Sequence, residues 1–458
     1  MKSKKFEFLL PILFSGLLVF VHSCKDETYV YQQDSDKGTP FNPNLPVEIT
    51  GFMPDSGKIA EKVVINGSNF GNIASEVRVF FNDGYSDKEA SVISVNGSSI
   101  YCLAPRLSGG DNQIKVIVSE STETVAPKTF HYTASAYVSW VAGIGLRDGT
   151  GAFYQDGTLA ESHFHKIMGI VALGDDQIMT FGSYESMANK VRFISVNDNR
   201  VITLQDGVYL GKPAINEDKT AVYATTLNPT HTVYEYRKDN GWMPYRIGEI
   251  PERGSGYDHI QSMVMMDKEY DPAQEWLYFC HKSGYFGRFN INTQQTEDLG
   301  ENLFDQADYV GYLVYDKFNN CFYLSHHTKY CIYKISKTGA TWTDGVRSDI
   351  YAGSPSQSAV VDGSLADARF RDPRGMCMDD DGNLYICEFN NSNVIRKISA
   401  LDGYVSTVAG TLNVESPQTN GDPAEAIFLD PRDISHDGNG NFFIAEWWEA
   451  TIRRYAVQ

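Results

Sequence analysis

The sequence predicts an all-β protein with two folded domains. Aromatic residues make up 13% of the chain, with 27 tyrosines and 25 phenylalanines, and this composition favours strands. Short alternating runs of β-branched and aromatic residues are separated by Gly, Asn, Asp and Ser, and no long Ala/Glu/Lys/Leu helical segment occurs. Two segments near the C-terminus repeat each other, which indicates a repeat architecture in the second domain.

The N-terminus has the pattern of an export signal. Three lysines within the first five residues precede an apolar stretch, Phe8–Val21, which has the length of a signal h-region and is short for a membrane span. Small Ser23 then stands directly before Cys24. The segment VHSC resembles a bacterial lipobox, although Val21 replaces the usual leucine. The resemblance implies that residues 1–23 are a signal peptide and that Cys24 carries the lipid anchor.

The segment after Cys24 suggests where the lipoprotein is displayed. Lys25, Asp26 and Glu27 resemble the export signal of surface lipoproteins in glycan-foraging Gram-negative bacteria. Residues 24–45 are polar and rich in proline towards their end, as expected of a lipidated tether. We therefore expect a protein anchored in the outer membrane and facing the extracellular side.

Charge and cysteine usage narrow the choice of partners. The 58 acidic residues exceed the 39 Lys and Arg, for a formal charge of −19, which argues against nucleic acid as a partner. No Cys-x-x-Cys metal spacing occurs. Most of the cysteines after Cys24 lie in apolar strand-like runs, and we expect them to be buried free thiols. They are Cys102, Cys280, Cys321, Cys331, Cys377 and Cys387.

Residues 46–134 form the first predicted domain, a small antiparallel sandwich. Its runs KVVING, EVRVFFN, SVISV, SIYCLAP and NQIKVIVS are short and separated by turn residues. Together with ITGFMPDSGKIAEKVVINGSNFGN and the closing TFHY, they resemble the IPT/TIG immunoglobulin-like family. Gly67 and Gly71 flank the family's tight turn, and Pro105 closes a strand. The resemblance implies a spacer without chemistry of its own.

Residues 136–458 form the second predicted domain. The segment GSLADARFRDPRGMCMDDDGNLYICEFNNSNVIRKISALDGYVSTVAG aligns with GDPAEAIFLDPRDISHDGNGNFFIAEWWEATIRRYAV. Both contain Phe-x-x-Pro-Arg, an apolar strand, an Asp/Gly/Asn turn and two further strands, and they resemble NHL repeats, which are blades of a β-propeller. Four earlier strand pairs fit more loosely, so we expect six blades.

A strand at the start of this domain should complete its last blade. Blade five ends with a fourth strand, GYVSTVAG, whereas blade six stops after its third, IRRYAVQ. A close copy, AYVSWVAG, occupies residues 136–143. Pairing it with blade six would close the ring and leave no open sheet edge.

The predicted topology places candidate binding residues on one side of the ring. The loops that join second to third strands lie on the same side as the loops that join blades, and we call this side the loop face. The opposite side, the turn face, has short turns such as Asp379–Asn383, which are typical of turn chemistry rather than of an EF-hand calcium site. The ligand-binding candidates on the loop face are Trp447, Trp448, Glu446, Glu388, Phe389, Tyr285, His281, His326 and Tyr330.

Aromatic side chains beside carboxylates and histidines suit a sugar, which offers an apolar C–H face and hydroxyl edges. We therefore favour glycan capture for a polysaccharide-uptake system, with uptake-system proteins as further partners and no cofactor. Two alternatives remain. Some NHL-like propellers are zinc lyases, in which case His231, His281 and His326 or His327 would be ligands; others bind proteins and act in adhesion.

Overall fold

The computed structural model describes residues 38–457 apart from short gaps. The gaps are 83, 85, 108, 120, 122, 146–153, 183–189, 228–229, 254–258, 302, 305–310, 415–416 and 448. Within the described residues the chain forms 32 strands and three 3-10 helices, Ala74–Glu76, Lys238–Asn240 and Trp342–Asp344. No helix in this part of the chain is long and apolar enough to cross a membrane. The all-β prediction is confirmed.

The first domain is a β-sandwich of eight strands, whose hydrogen-bonded order differs from their order in the chain. Strand β5 (Asp87–Val95) links its two layers, because its first half pairs with β4 (Val77–Asn82) and its second half with β6 (Ser99–Leu103). A continuous core contains Phe70, Phe81 and Phe130, none of which is exposed to solvent. Its strands are β1 (Glu48–Met53), β2 (Ser56–Gly57), β3 (Lys62–Ser68), β4 (Val77–Asn82), β5 (Asp87–Val95), β6 (Ser99–Leu103), β7 (Gly110–Val118) and β8 (Thr124–Tyr132).

The predicted tight turn after β3 depends on its two glycines. A Cβ on Gly67 would lie 1.9 Å from the carbonyl oxygen of Glu48, and Gly71 has a φ of +76°. Between them the Asn69 side chain donates hydrogen bonds to the carbonyls of Asn42 (2.9 Å) and Leu45 (2.8 Å). The turn thus fixes the segment that enters the sandwich.

The second domain is a six-bladed β-propeller, as predicted. Each blade is a four-stranded antiparallel sheet. Blade one consists of β10 (Gly169–Gly174), β11 (Gln177–Phe181), β12 (Lys190–Ser195) and β13 (Arg200–Asp206). Blade two consists of β14 (Ala214–Ile215), β15 (Ala221–Thr225), β16 (His231–Arg237) and β17 (Pro244–Ile250). Blade three consists of β18 (Ile260–Met265), β19 (Trp276–His281), β20 (Phe286–Asn290) and β21 (Thr296–Gly300). Blade four consists of β22 (Leu313–Asp316), β23 (Cys321–His326), β24 (Cys331–Lys337) and β25 (Val346–Gly353).

The last two blades contain the repeat recognised in the sequence. Blade five consists of β26 (Pro373–Met378), β27 (Leu384–Glu388), β28 (Val394–Ile398) and β29 (Val405–Ala409). Blade six consists of β30 (Pro431–His436), β31 (Asn441–Glu446), β32 (Ile452–Val457) and β9 (Ala136–Ala142). Strand β9 pairs antiparallel with β32, from Val457 opposite Ala136 to Ile452 opposite Ala142. The predicted closure of the ring by the N-terminal strand is therefore confirmed.

The turn face is built from side chains that bond to their own turns. Asp379 accepts hydrogen bonds from the backbone N–H of Asp381 (3.0 Å) and Asn383 (2.8 Å), and Asp437 repeats the pattern in blade six. The sandwich contacts this side of the ring, where Lys88 of β5 forms a 2.7 Å ion pair with Asp381. The acidic loops predicted to be turn formers thus serve as turn caps and as a contact for the first domain.

The six cysteines outside the N-terminal segment are free and buried, as expected. Burial raises the pKa of the Cys102 thiol to about 12 and that of Cys331 to about 11. The thiols therefore remain protonated and behave as small apolar side chains.

Candidate functional site

Four of the predicted ligand-binding residues occupy one structural position. His281, His326, Glu388 and Glu446 are the last residues of the second strands in blades three to six. None is more than 2% exposed. They therefore end the strands inside the protein instead of projecting from the loops.

The two glutamates hold the framework of blades five and six together. Glu388 accepts hydrogen bonds from the backbone N–H of Arg371 (3.0 Å) and Asp372 (2.9 Å) and lies 3.4 Å from the guanidinium of Arg396. Glu446 accepts a hydrogen bond from the N–H of Leu429 at 2.7 Å and lies 3.6 Å from Arg453. Burial raises the pKa of each carboxyl to about 7, and the neighbouring arginine opposes this shift.

The paired arginines fasten the loops that lead into the blades. Arg396 donates to the carbonyls of Val361 (2.9 Å) and Arg369 (3.0 Å), which lie on the two arms of the loop before β26. Arg453 does the same in blade six, and Arg192 in blade one. Glu388 and Glu446 belong to this buried network and do not reach the surface of the loop face.

The histidines at the strand ends pack against other rings. The ring centroid of His281 lies 5.3 Å from that of His231, and the His326 ring lies 5.7 Å from Tyr333 and 6.0 Å from Phe304. No group of three His, Cys, Asp or Glu side chains that could hold a metal occurs among the described residues.

The residue after the strand end is the one that reaches the open side. Phe389 follows Glu388 and Trp447 follows Glu446, and both side chains are half-buried. Their rings meet edge to face, with centroids 6.5 Å apart and planes at 80°. The structure thus brings together two of the predicted aromatics from neighbouring blades. Trp448 lies outside the described residues.

The two predicted tyrosines lie in other parts of the loop face. Tyr330 is half-buried and lines a cavity of about 560 Å³ with His327, Arg374 and Asn390. Tyr285 is half-buried in the turn after β19, where its carbonyl accepts a 2.8 Å hydrogen bond from the backbone N–H of His281. Tyr330 therefore adjoins the region of Phe389, whereas Tyr285 belongs to blade three.

Two arginines that the sequence analysis did not select complete the aromatic pair. The guanidinium of Arg432 lies 5.0 Å from the ring of Trp447 and 5.1 Å from that of Phe389, and that of Arg374 lies 5.2 Å from Phe389. The ammonium of Lys166 lies 5.7 Å from Trp447. These distances are within cation–π range.

Tyr312 places this group at the centre of the ring. Its hydroxyl donates to the carbonyl of Met168 in the loop before blade one at 2.9 Å and accepts from Nε of Arg432 at 2.9 Å. Blades one and four lie on opposite sides of a six-bladed ring, so the bond from Tyr312 to Met168 spans the axis. We call Lys166, Tyr312, Arg374, Phe389, Arg432 and Trp447 the axial cluster.

The signal for the two arginines was present in the sequence. Arg374 and Arg432 are the arginines of the Phe-x-x-Pro-Arg motif that both NHL-like repeats contain. Proline begins the innermost strand of blades five and six, so the following arginine stands where that strand enters the ring from the loop face. A repeated motif thus placed two cations beside the axis.

An ion pair lies below the axial cluster, inside the channel. Nζ of Lys212 donates to Oδ1 of Asp433 at 2.7 Å and to the carbonyl of Met376 at 2.6 Å. The innermost strands approach closely because Gly375 lacks a side chain: a Cβ there would lie 2.3 Å from Oδ1 of Asp433. The axial cluster therefore rests on packed protein, and a ligand would approach it from the loop face.

The electrostatics of the cluster reflect crowded cations. Burial and then the charge of Arg432 lower the pKa of Arg374 to about 10, although Asp372 pairs with it at 2.5 Å. Burial, followed by Arg374 and Arg432, lowers the pKa of His327 to about 2. His327 is therefore neutral at physiological pH.

Comparisons with known proteins agree with this architecture. The IPT/TIG domain family matches residues 46–132, and the NHL repeat family matches residues 370–396. Two solved structures described as auxiliary nutrient binding proteins share the fold. The protein from Bacteroides thetaiotaomicron is 21% identical, with a TM-score of 0.57 over 91% of this chain and 99% of the other. The one from Bacteroides ovatus is 19% identical, with a TM-score of 0.58 over 92% and 100%.

A closer likeness covers both domains, while the comparison with curated proteins finds no match. A structural genomics protein of unknown function from Bacteroides thetaiotaomicron is 39% identical, with a TM-score of 0.81. The alignment spans 92% of this chain and the whole of the other. The chain therefore belongs to the family of this Bacteroides protein, with an IPT/TIG domain followed by a six-bladed NHL-type β-propeller.

Proposed function

We propose that the protein is a cell-surface lipoprotein that captures a glycan at the axial cluster of its propeller. The observation that carries the proposal is the meeting of Phe389 and Trp447 at the centre of the loop face, with the guanidinium of Arg432 about equally close to both rings. Binding sites commonly combine apolar and aromatic walls with a few well-placed polar groups.

The chemistry of a sugar ring fits this arrangement. Its axial C–H groups carry partial positive charge and pack against the electron-rich face of an aromatic ring. Its hydroxyls need hydrogen-bond partners, and the guanidinium of Arg374 and the amides of Asn390 and Asn391 lie along the adjoining cavity. Arginine presents several donors in a fixed planar arrangement, which suits neighbouring hydroxyl oxygens.

Two further points support the proposal. The proteins of the same fold from Bacteroides thetaiotaomicron and Bacteroides ovatus are described as nutrient binding. The N-terminal segment resembles a lipobox followed by a surface-export signal, with Cys24 as the acylated residue. A captured glycan would then be held beside the uptake-system proteins of the outer membrane.

The binding site is tested by calorimetric titration of the wild type, two variants of the axial cluster and one control variant with a panel of oligosaccharides. Trp447→Ala should weaken binding about tenfold, which corresponds to about 1.4 kcal/mol, and Phe389→Ala should have a similar effect. Tyr245→Ala is the control, because Tyr245 is an aromatic residue on the outer strand β17 and is 64% exposed. Equal affinities in all three variants and the wild type would remove the axial cluster as the site.

The anchor is tested separately from the ligand. Cys24→Ala should move the protein from the membrane fraction to the soluble fraction, because acylation supplies about 0.8 kcal/mol per buried methylene. Protease added to intact cells should digest the wild type. If the wild type is protected, the protein faces the periplasm and the proposed capture at the cell surface fails.

A further inference from the structure

Arg432 is a buried cation, and within the described part of the chain its charge is not matched by an ion pair. The residue is only 9% exposed, and its Nε donates to the neutral hydroxyl of Tyr312. No carboxylate of the described residues forms an ion pair with it, whereas the buried Arg396 and Arg453 each meet a glutamate. A buried guanidinium is costly to desolvate and is normally compensated by an anion.

The surroundings of Arg432 increase this need. Arg374 is close enough to Arg432 for their like charges to interact. The ammonium of Lys166 lies over the ring of Trp447, which Arg432 also contacts. Of the nearby carboxylates, Asp372 pairs with Arg374. The charge of Asp430 interacts with that of Arg432, but Asp430 forms no ion pair with it and accepts hydrogen bonds from backbone N–H groups of the Asn390 loop. The centre of the loop face is thus cationic in a chain whose formal charge is −19.

The aromatic rings define what kind of anion would fit. Phe389 and Trp447 flank the guanidinium, so a small charged group bound to Arg432 would have its parent ring beside an aromatic face. A bidentate pair between guanidinium and carboxylate or sulfate provides both charge and geometry. A long polyanion is disfavoured by the overall negative charge of the protein.

We propose that the axial cluster recognises an acidic sugar residue, whose carboxylate or sulfate binds Arg432 while the sugar ring packs against Trp447 and Phe389. This inference rests on the proposed function, because it names the class of glycan for the same site. Arg432 supplies the charge selectivity and the aromatic pair supplies affinity for the ring. Neutral glycans would lose the contact with Arg432 and keep the rest.

The test uses pairs of ligands that differ only in charge, so that it does not depend on a variant folding. Oligogalacturonides are titrated against their methyl esters, and sulfated galactan oligosaccharides against their desulfated forms. We expect the charged member of one pair to bind about 10- to 100-fold more tightly, the range of a charge-assisted hydrogen bond. Its affinity should fall as the salt concentration rises. The pair that responds identifies carboxylate or sulfate as the anion.

Variants then assign the effect to Arg432. Arg432→Gln should reduce the charged-ligand preference to about unity, and Arg432→Lys should keep part of it, because the charge remains and the planar geometry is lost. Arg347→Gln is the charge-matched control, since Arg347 lies on the outer strand β25 with its side chain 68% exposed. Thermal melting confirms that each variant is folded.

The outcomes separate the two proposals. Equal binding of charged and neutral members of both pairs, still weakened by Trp447→Ala, would overturn the acidic-sugar inference and leave glycan capture in place. A charge preference that survives Arg432→Gln in a folded protein would also overturn it. If no glycan of any class binds the wild type, the proposed function itself fails.

Discussion

Glu446 and Trp447 are adjacent in the chain and yet belong to different parts of the molecule. Glu446 ends β31 inside the blade and interacts with Arg453, whereas Trp447 reaches the axial cluster and lies near Arg432. Glu388 and Phe389 repeat the contrast in blade five. Successive side chains of an extended strand point in opposite directions, so one step along the chain separates the framework from the proposed binding surface.

The same contrast distinguishes two sets of arginines. Arg192, Arg396 and Arg453 lie on third strands and donate to the carbonyls of the loops that lead into blades one, five and six. Arg374 and Arg432 lie at the start of first strands and contact aromatic rings near the axis. The arginines of the first set each pair with a carboxylate, whereas Arg432 forms no ion pair with a carboxylate of the described residues. Variants in the two sets should therefore have different consequences.

The largest expected effect comes from removing the strand that closes the ring, because both sets of arginines lie in the blades of that ring. Deleting residues 136–143 takes away β9, which pairs with β32 along its whole length. The deletion exposes a sheet edge and the apolar faces around Val138, so we expect aggregation or loss of cooperative unfolding. Thermal melting monitored by circular dichroism provides the measurement.

A second deletion serves as its control. A variant lacking residues 25–134 removes the sandwich, which has its own core, and keeps β9. It should unfold cooperatively near the temperature of the intact propeller. If the variant without residues 136–143 melts like the intact protein, ring closure by β9 is not needed for stability. The comparison between framework and axial cluster would then no longer depend on a closed ring.

Removing a framework carboxylate should cost stability before it affects binding. Glu446→Ala leaves Arg453, which is 1% exposed, without its carboxylate. Above pH 7, where most of Glu446 is ionised, breaking a buried ion pair in this way costs about 3–5 kcal/mol. Glu425→Ala in the same blade is the control, because Glu425 is exposed, and it should change the free energy of unfolding by less than about 0.5 kcal/mol. Urea unfolding measures both. Similar values for the two variants would contradict the framework role.

The pH dependence of stability provides a finer test of the same carboxylate. Burial raises the pKa of Glu446 in the folded protein to about 7 from an ordinary value of 4.5. Between these values the folded state holds a proton that the unfolded state has released, so stability should fall as pH rises from about 5 to about 7. A shift of this size corresponds to about 3 kcal/mol.

Glu446→Gln isolates that contribution. The amide resembles the protonated carboxyl and does not titrate, so the variant should lack this part of the pH dependence. Urea unfolding at pH 5, 6, 7 and 8 gives the difference between wild type and variant. The wild type should lose stability relative to Glu446→Gln as pH rises, and a constant difference would show that the pKa of Glu446 is not raised on folding.

The fold was predictable because it depends on periodic patterns. Alternating strands, Asp/Gly/Asn turns and the likeness of residues 136–143 to the fourth strand of blade five identified six blades and the closing strand. Blade one was less obvious, yet its segment DGTLAESHF is close to DGSLADARF before blade five, and both lead into loops held by a buried arginine. The looser blades two to four lack such a match and were recognised from strand patterns alone.

The site was harder to predict because it depends on single-residue register. In blades three to six the predicted residues lie at or just after the ends of the second strands, but Glu388 and Glu446, predicted to lie in loops, end strands. An error of one residue moves a side chain from the surface to the interior. Arg432 was missed for a different reason. Its motif repeats, and only the three-dimensional structure shows that no carboxylate of the described residues pairs with it, whereas Glu388 meets Arg396 and Glu446 meets Arg453.

The smallest expected effect lies on the turn face, where adjacent residues again differ. Asp379 accepts hydrogen bonds from two backbone N–H groups and from the amide of Asn383, whereas Asp380 is exposed. Asp379→Ala should cost about 1–3 kcal/mol, because it leaves backbone donors unsatisfied. Asp380→Ala should change the free energy of unfolding by less than about 0.5 kcal/mol.

Neither Asp379→Ala nor Asp380→Ala should alter glycan affinity, since the Lys212–Asp433 ion pair lies between the turn face and the axial cluster. Urea unfolding and calorimetric titration of both variants provide the measurements. Loss of glycan binding in folded Asp380→Ala would instead place recognition on the turn face.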